Sequence, residues 1–297
     1  MFTTPALLPY QYPVAALLVD DDPSLLSGLS AGLSRERRVF AEASGERALD
    51  RYRRAATPRH SFLRRSRDQT GLTEHRVVVD VTGIASLMDQ EERHAEIGLL
   101  VVDYKMPGLN GVELCEWLRH EPCRRILLTG VADERVAVQA FNSGLIHQYV
   151  RKDHDTLDRL GALMRREQLQ YFRAVSQTLS EGLRDRLGAF EHVPAVCDAL
   201  LTLVAQYDIV EYYLATEPNG LLTCDRAGRR RRVLVQSEPE RRSALEILGA
   251  SGHEAGFEGA MVYADAPADS PPQARTLRPL MAVASPQGMY LIAMEDC

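Results

Sequence analysis

The sequence has few cysteines, and nothing in their spacing ties them together. Its five cysteines are scattered, they form no C-x-x-C pair, and their number is odd. This pattern argues against a disulfide framework or a zinc module and favours a reducing compartment. The eight histidines show no ligand spacing either, so they predict no metal site.

Long apolar runs and an excess of basic charge are also lacking. No apolar run approaches the roughly 20 residues needed to cross a bilayer, and residues 1–13 lack the basic and apolar regions of a secretory signal. The 35 Lys and Arg residues face 41 Asp and Glu residues, which gives a formal net charge of −6. This balance disfavours nucleic acid as a partner. We therefore expect a cytoplasmic protein with no membrane partner.

The first half of the sequence alternates short apolar runs with amphipathic stretches. The run from Ala15 to Val19 has no polar residue, as is typical of a strand buried on both faces. Strands are predicted at Ala15 to Val19, Arg38 to Ala43, Leu99 to Val102, Ile126 to Leu128 and Ile146 to Val150. The alternation predicts an α/β fold, in which helices cover both faces of a parallel sheet.

Polar side chains gather at the ends of these predicted strands. Asp20 and Asp21 follow the first strand, and Asp103 ends another. Because adjacent strands lie about 4.8 Å apart, three carboxylates meet at one sheet edge, where Mg²⁺ would relieve their repulsion. A carboxylate can also become an aspartyl phosphate. Thr129 and Lys152 end two further strands, and a hydroxyl and an ammonium group can both contact phosphoryl oxygens.

Four sequence blocks at these strand ends resemble the signature blocks of the response regulator receiver family, and they occur in the family's order. The blocks are Leu18-Val19-Asp20-Asp21-Asp22-Pro23, Val102-Asp103-Tyr104-Lys105-Met106-Pro107-Gly108-Leu109-Asn110-Gly111, Leu127-Leu128-Thr129-Gly130 and Tyr149-Val150-Arg151-Lys152. The resemblance covers roughly residues 14–165, except for an insertion. It implies a flavodoxin-like, doubly wound sheet of five parallel strands.

The resemblance also implies which residues bind the metal. Asp20 and Asp21 would hold Mg²⁺, and Asp103 would touch the metal and accept the phosphoryl group. The backbone carbonyl of Lys105 would be a further ligand. Asp22 is interpreted as a helix cap rather than a ligand.

Three more residues receive roles from the resemblance. Thr129 and Lys152 would contact the phosphoryl group. Tyr149 would be an aromatic switch that turns inward when Thr129 moves, although a core aromatic is the alternative interpretation. The sequence departs from the family at Asp153, where proline is usual, so the turn after that strand is expected to differ.

The largest departure lies between Asp21 and Asp103, whose separation is about twice the family's usual spacing. It indicates an insertion that holds a basic loop at Arg59 to Arg67, a strand at Arg76 to Val81 and a short helix at Ile84 to Ile97. The predicted organisation is an N-terminal tail at 1–13, a receiver domain at 14–160 with the insertion at about 54–97, a connector helix at 161–188, and a small α+β domain with a mostly antiparallel sheet at 189–297.

Two function classes follow from these predictions. The first is a bacterial-type two-component response regulator that receives its phosphoryl group from a histidine kinase or phosphotransfer protein and acts through protein or ligand contacts. The alternative is a DNA-binding transcriptional regulator, although no helix-turn-helix pair is evident after residue 189. The run from Arg229 to Arg232 fits either nucleic acid or a solvated hairpin arm.

Enzymatic activity and assembly are separate questions. No enzyme signature is evident, so only self-phosphorylation and autodephosphorylation are expected. A homodimer through the helix at 155–188 is an open possibility.

Overall fold

The chain divides into two compact units. The parallel-sheet unit comprises Gln11–Ser61 and Asp89–Thr178, and the antiparallel-sheet unit comprises Met1–Tyr10, Phe62–Met88 and Leu179–Cys297. The structure, a computed structural model, describes residues 7–55, 63–65, 77–79, 81–130, 133–183, 190–216, 218–249, 259–265 and 273–297.

The secondary structure alternates strands with helices in the first half and is richer in strands in the second. The strands are β1 Tyr10–Gln11, β2 Ala15–Val19, β3 Val39–Glu42, β4 Leu63–Arg65, β5 Val77–Val79, β6 Ile97–Asp103, β7 Arg124–Thr129, β8 Gln148–Arg151, β9 Ile209–Thr216, β10 Asn219–Asp225, β11 Arg230–Ser237, β12 Met261–Asp265, β13 Gln273–Leu277, β14 Met281–Ser285 and β15 Gly288–Asp296. The helices are α1 Pro23–Leu33, α2 Gly45–Arg54, α3 Val81–Ser86, α4 Gly111–Trp117, α5 Glu134–Asn142, α6 Thr156–Leu183, α7 Pro194–Gln206 and α8 Glu238–Ile247.

The parallel-sheet unit is built on five strands in the order β3-β2-β6-β7-β8. Every neighbouring pair is parallel, and all residues of β2 and β6 are buried. The predicted flavodoxin-like sheet is therefore confirmed. Because β2 and β6 are neighbours, their carboxyl ends lie side by side at one edge, where ligands bind in such folds.

The first helix begins as its sequence indicates. The Asp22 side chain accepts hydrogen bonds from the backbone amides of Ser24 and Leu25, and Pro23 occupies the first turn. These contacts satisfy two donors that a helix start otherwise leaves unpaired. They confirm the interpretation of Asp22 as a cap.

The antiparallel-sheet unit contains a six-stranded sheet in the order β1-β9-β10-β11-β15-β14. The neighbouring pairs β9-β10, β10-β11, β11-β15 and β15-β14 are antiparallel. The predicted antiparallel sheet is therefore confirmed. A separate hairpin, β12-β13, packs Met261 against Leu234 and Ala293 of the large sheet. Helix α8 packs on β12 through Ala244, Leu245 and Val262.

The N-terminal segment differs from the tail predicted at 1–13. Strand β1 joins the large sheet next to β9, and the Leu214 amide donates to the Pro9 carbonyl over 2.8 Å. Leu7, Leu8 and Tyr10 are buried. Burial of these apolar side chains explains why the segment is part of a folded unit.

The insertion also differs from the prediction, since part of it belongs to the antiparallel-sheet unit. Strands β4 and β5 pair with each other, and helix α3 packs against β9 with Ile84 fully buried. Two short 3₁₀ turns at Leu87–Asp89 and Glu91–Ala95 follow instead of one continuous helix. The basic loop predicted at Arg59 to Arg67 contains β4, and its other residues lie outside the described ones.

Helix α6 runs for 28 residues without a break, so no element boundary separates the predicted receiver and connector at residue 160. Residues 184–188 of the predicted connector lie outside the described residues. Among the helices described, none combines the length and the apolar character that a membrane span requires.

Candidate functional site

Three carboxylates meet at the edge formed by the ends of β2 and β6. One oxygen from each of Asp20, Asp21 and Asp103 lies within 4.8 Å of the others. Asp20 is 1% exposed and Asp103 is 5% exposed, whereas Asp21 faces solvent. The order of the parallel strands brings these residues together, as the sequence predicts.

Lys152 completes this cluster from the end of β8. Its Nζ atom lies 2.7 Å from Asp103 Oδ1 and 2.7 Å from Asp20 Oδ2. The backbone positions it, because the Lys152 amide donates to the Thr129 carbonyl over 2.9 Å. One ammonium group therefore bridges two buried carboxylates.

Burial and neighbouring charges shift the pKa values of Asp103 and Lys152. Burial raises the pKa of Asp103, and the charges of Asp20 and Asp21 raise it further, while Lys152 opposes both effects. Burial lowers the pKa of Lys152, but hydrogen bonds to Asp103 and Asp20 outweigh it and the net direction is upward. The ammonium form is therefore favoured, and the Asp103 carboxylate is held under repulsion that added positive charge would relieve.

The residues present fit a hard divalent cation. Asp20 Oδ1 accepts a hydrogen bond from the Asp22 amide over 2.9 Å. Asp20 Oδ2 is buried and has no aligned hydrogen bond in the described part of the chain, although Lys152 Nζ lies close to it. Three carboxylates with free oxygen lone pairs are the donor set that Mg²⁺ prefers. Asp20, Asp21 and Asp103 would hold such an ion.

The Lys105 side chain points to a different partner. Its Nζ lies 2.8 Å from Asp133 Oδ1, and the side chain is 67% exposed. Asp133 precedes α5 and makes no side-chain cap hydrogen bond, while its carboxylate forms this ion pair. No local sequence pattern indicates this pair. The metal role of the Lys105 carbonyl stays a prediction.

Thr129 and Tyr149 lie on the neighbouring strands β7 and β8. Thr129 is buried at the end of β7, and its neighbour Leu128 pairs in register with Asp103. Tyr149 is 38% exposed, and its ring meets Phe141 edge to face at 6.4 Å. In this structure Tyr149 therefore faces outward, and its switch role stays a prediction.

The start of α4 packs directly on the end of β6. Asn110 and Glu113 form a reciprocal capping box, and the Gly111 amide donates to the Tyr104 carbonyl over 3.2 Å. A Cβ atom added at Gly111 would lie 2.1 Å from the Asp103 carbonyl oxygen. Glycine is therefore required for this close approach. The quoted Asn110-Gly111 block marks the position, but its spacing alone does not reveal the contact.

Structural comparisons place this fold among known proteins. The response regulator LqsR of Legionella pneumophila shares 23% identity, with 98% of this chain and 89% of that chain covered and a TM-score of 0.74. A response regulator receiver domain protein from Clostridium thermocellum shares 18% identity over 56% of this chain and 98% of its own, with a TM-score of 0.35. The response regulator TrrA of Thermotoga maritima, solved with Mg²⁺ and BeF, shares 19% identity over 52% of this chain and 98% of its own, with a TM-score of 0.33. At these identities the likeness to LqsR shows the fold alone.

One family model matches part of the sequence. No curated protein has significant sequence similarity to the chain. Residues 60–163 match the model of the response regulator receiver domain. The match begins within the insertion and omits β2, with Asp20 and Asp21, although β2 pairs with β6 in the same sheet. The matched range contains β6, β7 and β8 of the parallel sheet, so this part of the chain is similar to response regulator receiver domains.

Proposed function

We propose that the chain is a two-component response regulator that accepts a phosphoryl group on Asp103 with Mg²⁺ as cofactor. The observation that carries this proposal is the position of Lys152 Nζ, which contacts both Asp103 and Asp20 beside the exposed Asp21. Phosphoryl transfer depends mainly on positioned charge. A buried carboxylate surrounded by an ammonium group and further carboxylates offers such positioning.

In the proposed reaction, an Asp103 oxygen forms a bond to the phosphorus of a phosphohistidine while the phosphorus–nitrogen bond breaks. The histidine nitrogen leaves with the electron pair and takes up a proton. Asp20, Asp21 and Asp103 would hold Mg²⁺, which would supply positive charge at the phosphoryl oxygens. Lys152 donates to the same oxygens, and so does the Thr129 hydroxyl.

The partner in this reaction would be a histidine kinase or a phosphotransfer protein. The Lys105 carbonyl would serve as a further metal ligand. Negative charge added at Asp103 would draw Thr129 inward and Tyr149 after it, which would reshape the surface of α5 and β8. A homodimer through α6 would be one way to transmit this change.

We propose an output through protein or ligand binding, with no enzymatic activity beyond self-phosphorylation and autodephosphorylation. Helices α7 and α8 are separated in the chain by β9, β10 and β11, so these two helices do not form a helix-turn-helix pair. Arg229 and Arg231 are both paired with Asp225, which favours a structural role for these two residues of the basic run. Neither observation supports the DNA-binding alternative.

The test is phosphorylation of the full chain with acetyl phosphate and Mg²⁺, followed by intact-mass spectrometry. We expect one added phosphoryl group on the wild type and none on Asp103→Asn. Chelation of Mg²⁺ with EDTA should abolish the reaction, and Asp21→Asn should weaken Mg²⁺ binding, measured by calorimetry, by at least about tenfold.

Asp22→Asn is the matched control, because it changes a neighbouring carboxylate that caps α1 and asparagine caps equally well. It should be phosphorylated like the wild type. Equal labelling of wild type and Asp103→Asn would refute the assignment of Asp103.

A further inference from the structure

The antiparallel-sheet unit contains a cavity of about 790 Å³ between α8, β11 and the β12-β13 hairpin. Its apolar lining includes Val235, Ala244 and Ile247, and its polar lining includes Arg232 and Tyr263. The volume lies in the range of small-molecule sites, which combine apolar walls with a few placed polar groups.

Arg232 differs from its neighbours in the basic run. Arg229 and Arg231 pair with Asp225. Arg232 Nε is buried and has no hydrogen-bond partner within the described ranges of the chain. A buried donor on a charged group without a partner is costly, so a ligand that supplies an acceptor would gain from this arrangement.

Tyr263 presents a second unpartnered group to the same cavity. Its hydroxyl is buried and finds no hydrogen-bond partner in the part of the chain that the structure describes. Burial raises the pKa of Tyr263, and the charges of Glu240 and Glu295 add to this effect, so the phenol keeps its proton and can donate it.

The acidic groups near the cavity already have hydrogen-bond or ion-pair partners. Glu240 accepts hydrogen bonds from the Ser237 amide and hydroxyl and from the Asn219 side chain. Glu295 forms an ion pair with Arg275. Of the two arginines that line the cavity, Arg275 pairs with Glu295, whereas Arg232 has no ion pair among the described residues.

We propose that this cavity binds a small organic anion whose carboxylate or phosphate group pairs with Arg232 and accepts a hydrogen bond from Tyr263. The guanidinium group offers the paired donors that suit such anions. The apolar body of the ligand would lie against Val235, Ala244 and Ile247. This binding site belongs to a different unit from the Asp103 cluster, so the inference stands independently of phosphorylation.

The test is a ligand-observed NMR titration of the full chain with benzoate, phenyl phosphate and the neutral analogue benzyl alcohol. We expect at least one anion to bind in the millimolar range or tighter and more strongly than benzyl alcohol. The tighter of the two anions identifies the head group as carboxylate or phosphate. Arg232→Gln should weaken anion binding at least about tenfold, and Tyr263→Phe about threefold or more.

Arg242→Gln is the matched control, because Arg242 is an exposed arginine of α8 that pairs with Glu238, and it should bind like the wild type. Binding of benzyl alcohol as tight as that of the anions, absence of anion binding to the wild type, or unchanged binding by Arg232→Gln would each overturn the proposal.

The thermal stability of the Tyr263→Phe variant distinguishes a role of Tyr263 in ligand binding from a structural role. Without any probe, Tyr263→Phe should have a Tm equal to or above that of the wild type, because it removes a buried hydroxyl that has no partner among the described residues. A clearly lower Tm would show that the hydroxyl makes a structural hydrogen bond, and it would remove Tyr263 from the proposed site.

Discussion

At the scale of single residues, the Asp103 cluster depends on close approach as much as on charge. Lys152 bridges Asp103 and Asp20, while Gly111 allows the first turn of α4 to pack on the Asp103 carbonyl. The backbone of Asp103 is thus fixed from one side and its carboxylate from the other. Such a fixed carboxylate would need little reorganisation for the proposed phosphoryl transfer.

Replacement of Gly111 by alanine tests this packing. The added Cβ would lie 2.1 Å from the Asp103 carbonyl oxygen, so the backbone must shift, and we expect a loss of about 1–3 kcal/mol in the free energy of unfolding. Urea denaturation measures this loss, and slower labelling by acetyl phosphate should accompany it.

Gly28→Ala provides the control, because a Cβ at Gly28 of α1 meets no atom within 4 Å. Alanine favours helix, so this variant should gain up to about 1 kcal/mol. Equal effects of the two substitutions would show that the contact at Gly111 is unimportant.

At the scale of elements, α6 is fixed to the parallel sheet by a buried carboxylate. Glu167 Oε2 accepts a hydrogen bond from Arg124 of β7 over 2.8 Å, and Oε1 accepts one from Gln148 of β8 over 3.0 Å. Glu167 is 1% exposed. The strands that carry Thr129 and Tyr149 are therefore tied to the long helix.

Glu167→Ala should be strongly destabilising, because it leaves the Arg124 guanidinium without its buried partner. We expect a loss of about 3 kcal/mol in urea denaturation. Glu36→Ala breaks the more exposed ion pair between Glu36 and Arg165 of the same helix and should cost less than about 1 kcal/mol. Similar costs for both variants would contradict a special role of Glu167.

The turn before β8 makes stability depend on pH through His147. Its Nδ1 accepts a hydrogen bond from the Arg125 amide over 2.9 Å, and burial together with the charges of Arg124 and Arg125 lowers its pKa to about 3. The unfolded chain binds a proton at His147 near pH 6.5 while the folded chain does not. This contribution to stability is therefore lost as pH falls from about 6.5 towards 3.

His147→Asn should remove this dependence, since asparagine offers an acceptor but does not titrate. Between pH 7 and pH 5, the wild type should lose about 1–2 kcal/mol more stability than the variant, with the lower value expected because solvent screens the partly exposed ring. Urea denaturation at the two pH values measures the difference. Parallel losses in both proteins would show that His147 is not the titrating group.

At the scale of the whole molecule, the antiparallel-sheet unit is assembled from three segments of the chain. Strand β1 pairs at the edge of its sheet beside β9, and α3 from the insertion packs against β9. The residues that these segments bury include Leu7, Tyr10, Ile84 and Leu87. The C-terminal region is therefore only part of a folded unit.

A fragment of residues 190–297 should fail to fold cooperatively. Each buried apolar side chain that it lacks contributes about 1.5–3 kcal/mol, and together they approach the total stability of a typical domain, about 5–15 kcal/mol. Urea denaturation followed by circular dichroism measures this, with the full chain as control. A sharp transition of the isolated fragment would contradict the prediction.

The parallel sheet and the residues at its edge could be predicted from the sequence. Apolar runs mark β2 and β6, and because parallel strands present their carboxyl ends at one edge, Asp20, Asp103 and Lys152 had to lie near one another. The cap at Asp22 also follows from local sequence, since a cap depends on residues only a few positions apart.

The pairing of distant segments could be seen only in the tertiary structure. Strand β1 has two residues and no periodicity, and β13 is exposed over most of its length, so neither carries the alternation that predicts a strand. Folding brings together the side chains of the Lys105–Asp133 ion pair, and it buries the Arg232 donor where no described residue accepts its hydrogen bond. Such contacts between residues far apart in the chain leave no local pattern, whereas strands and caps do.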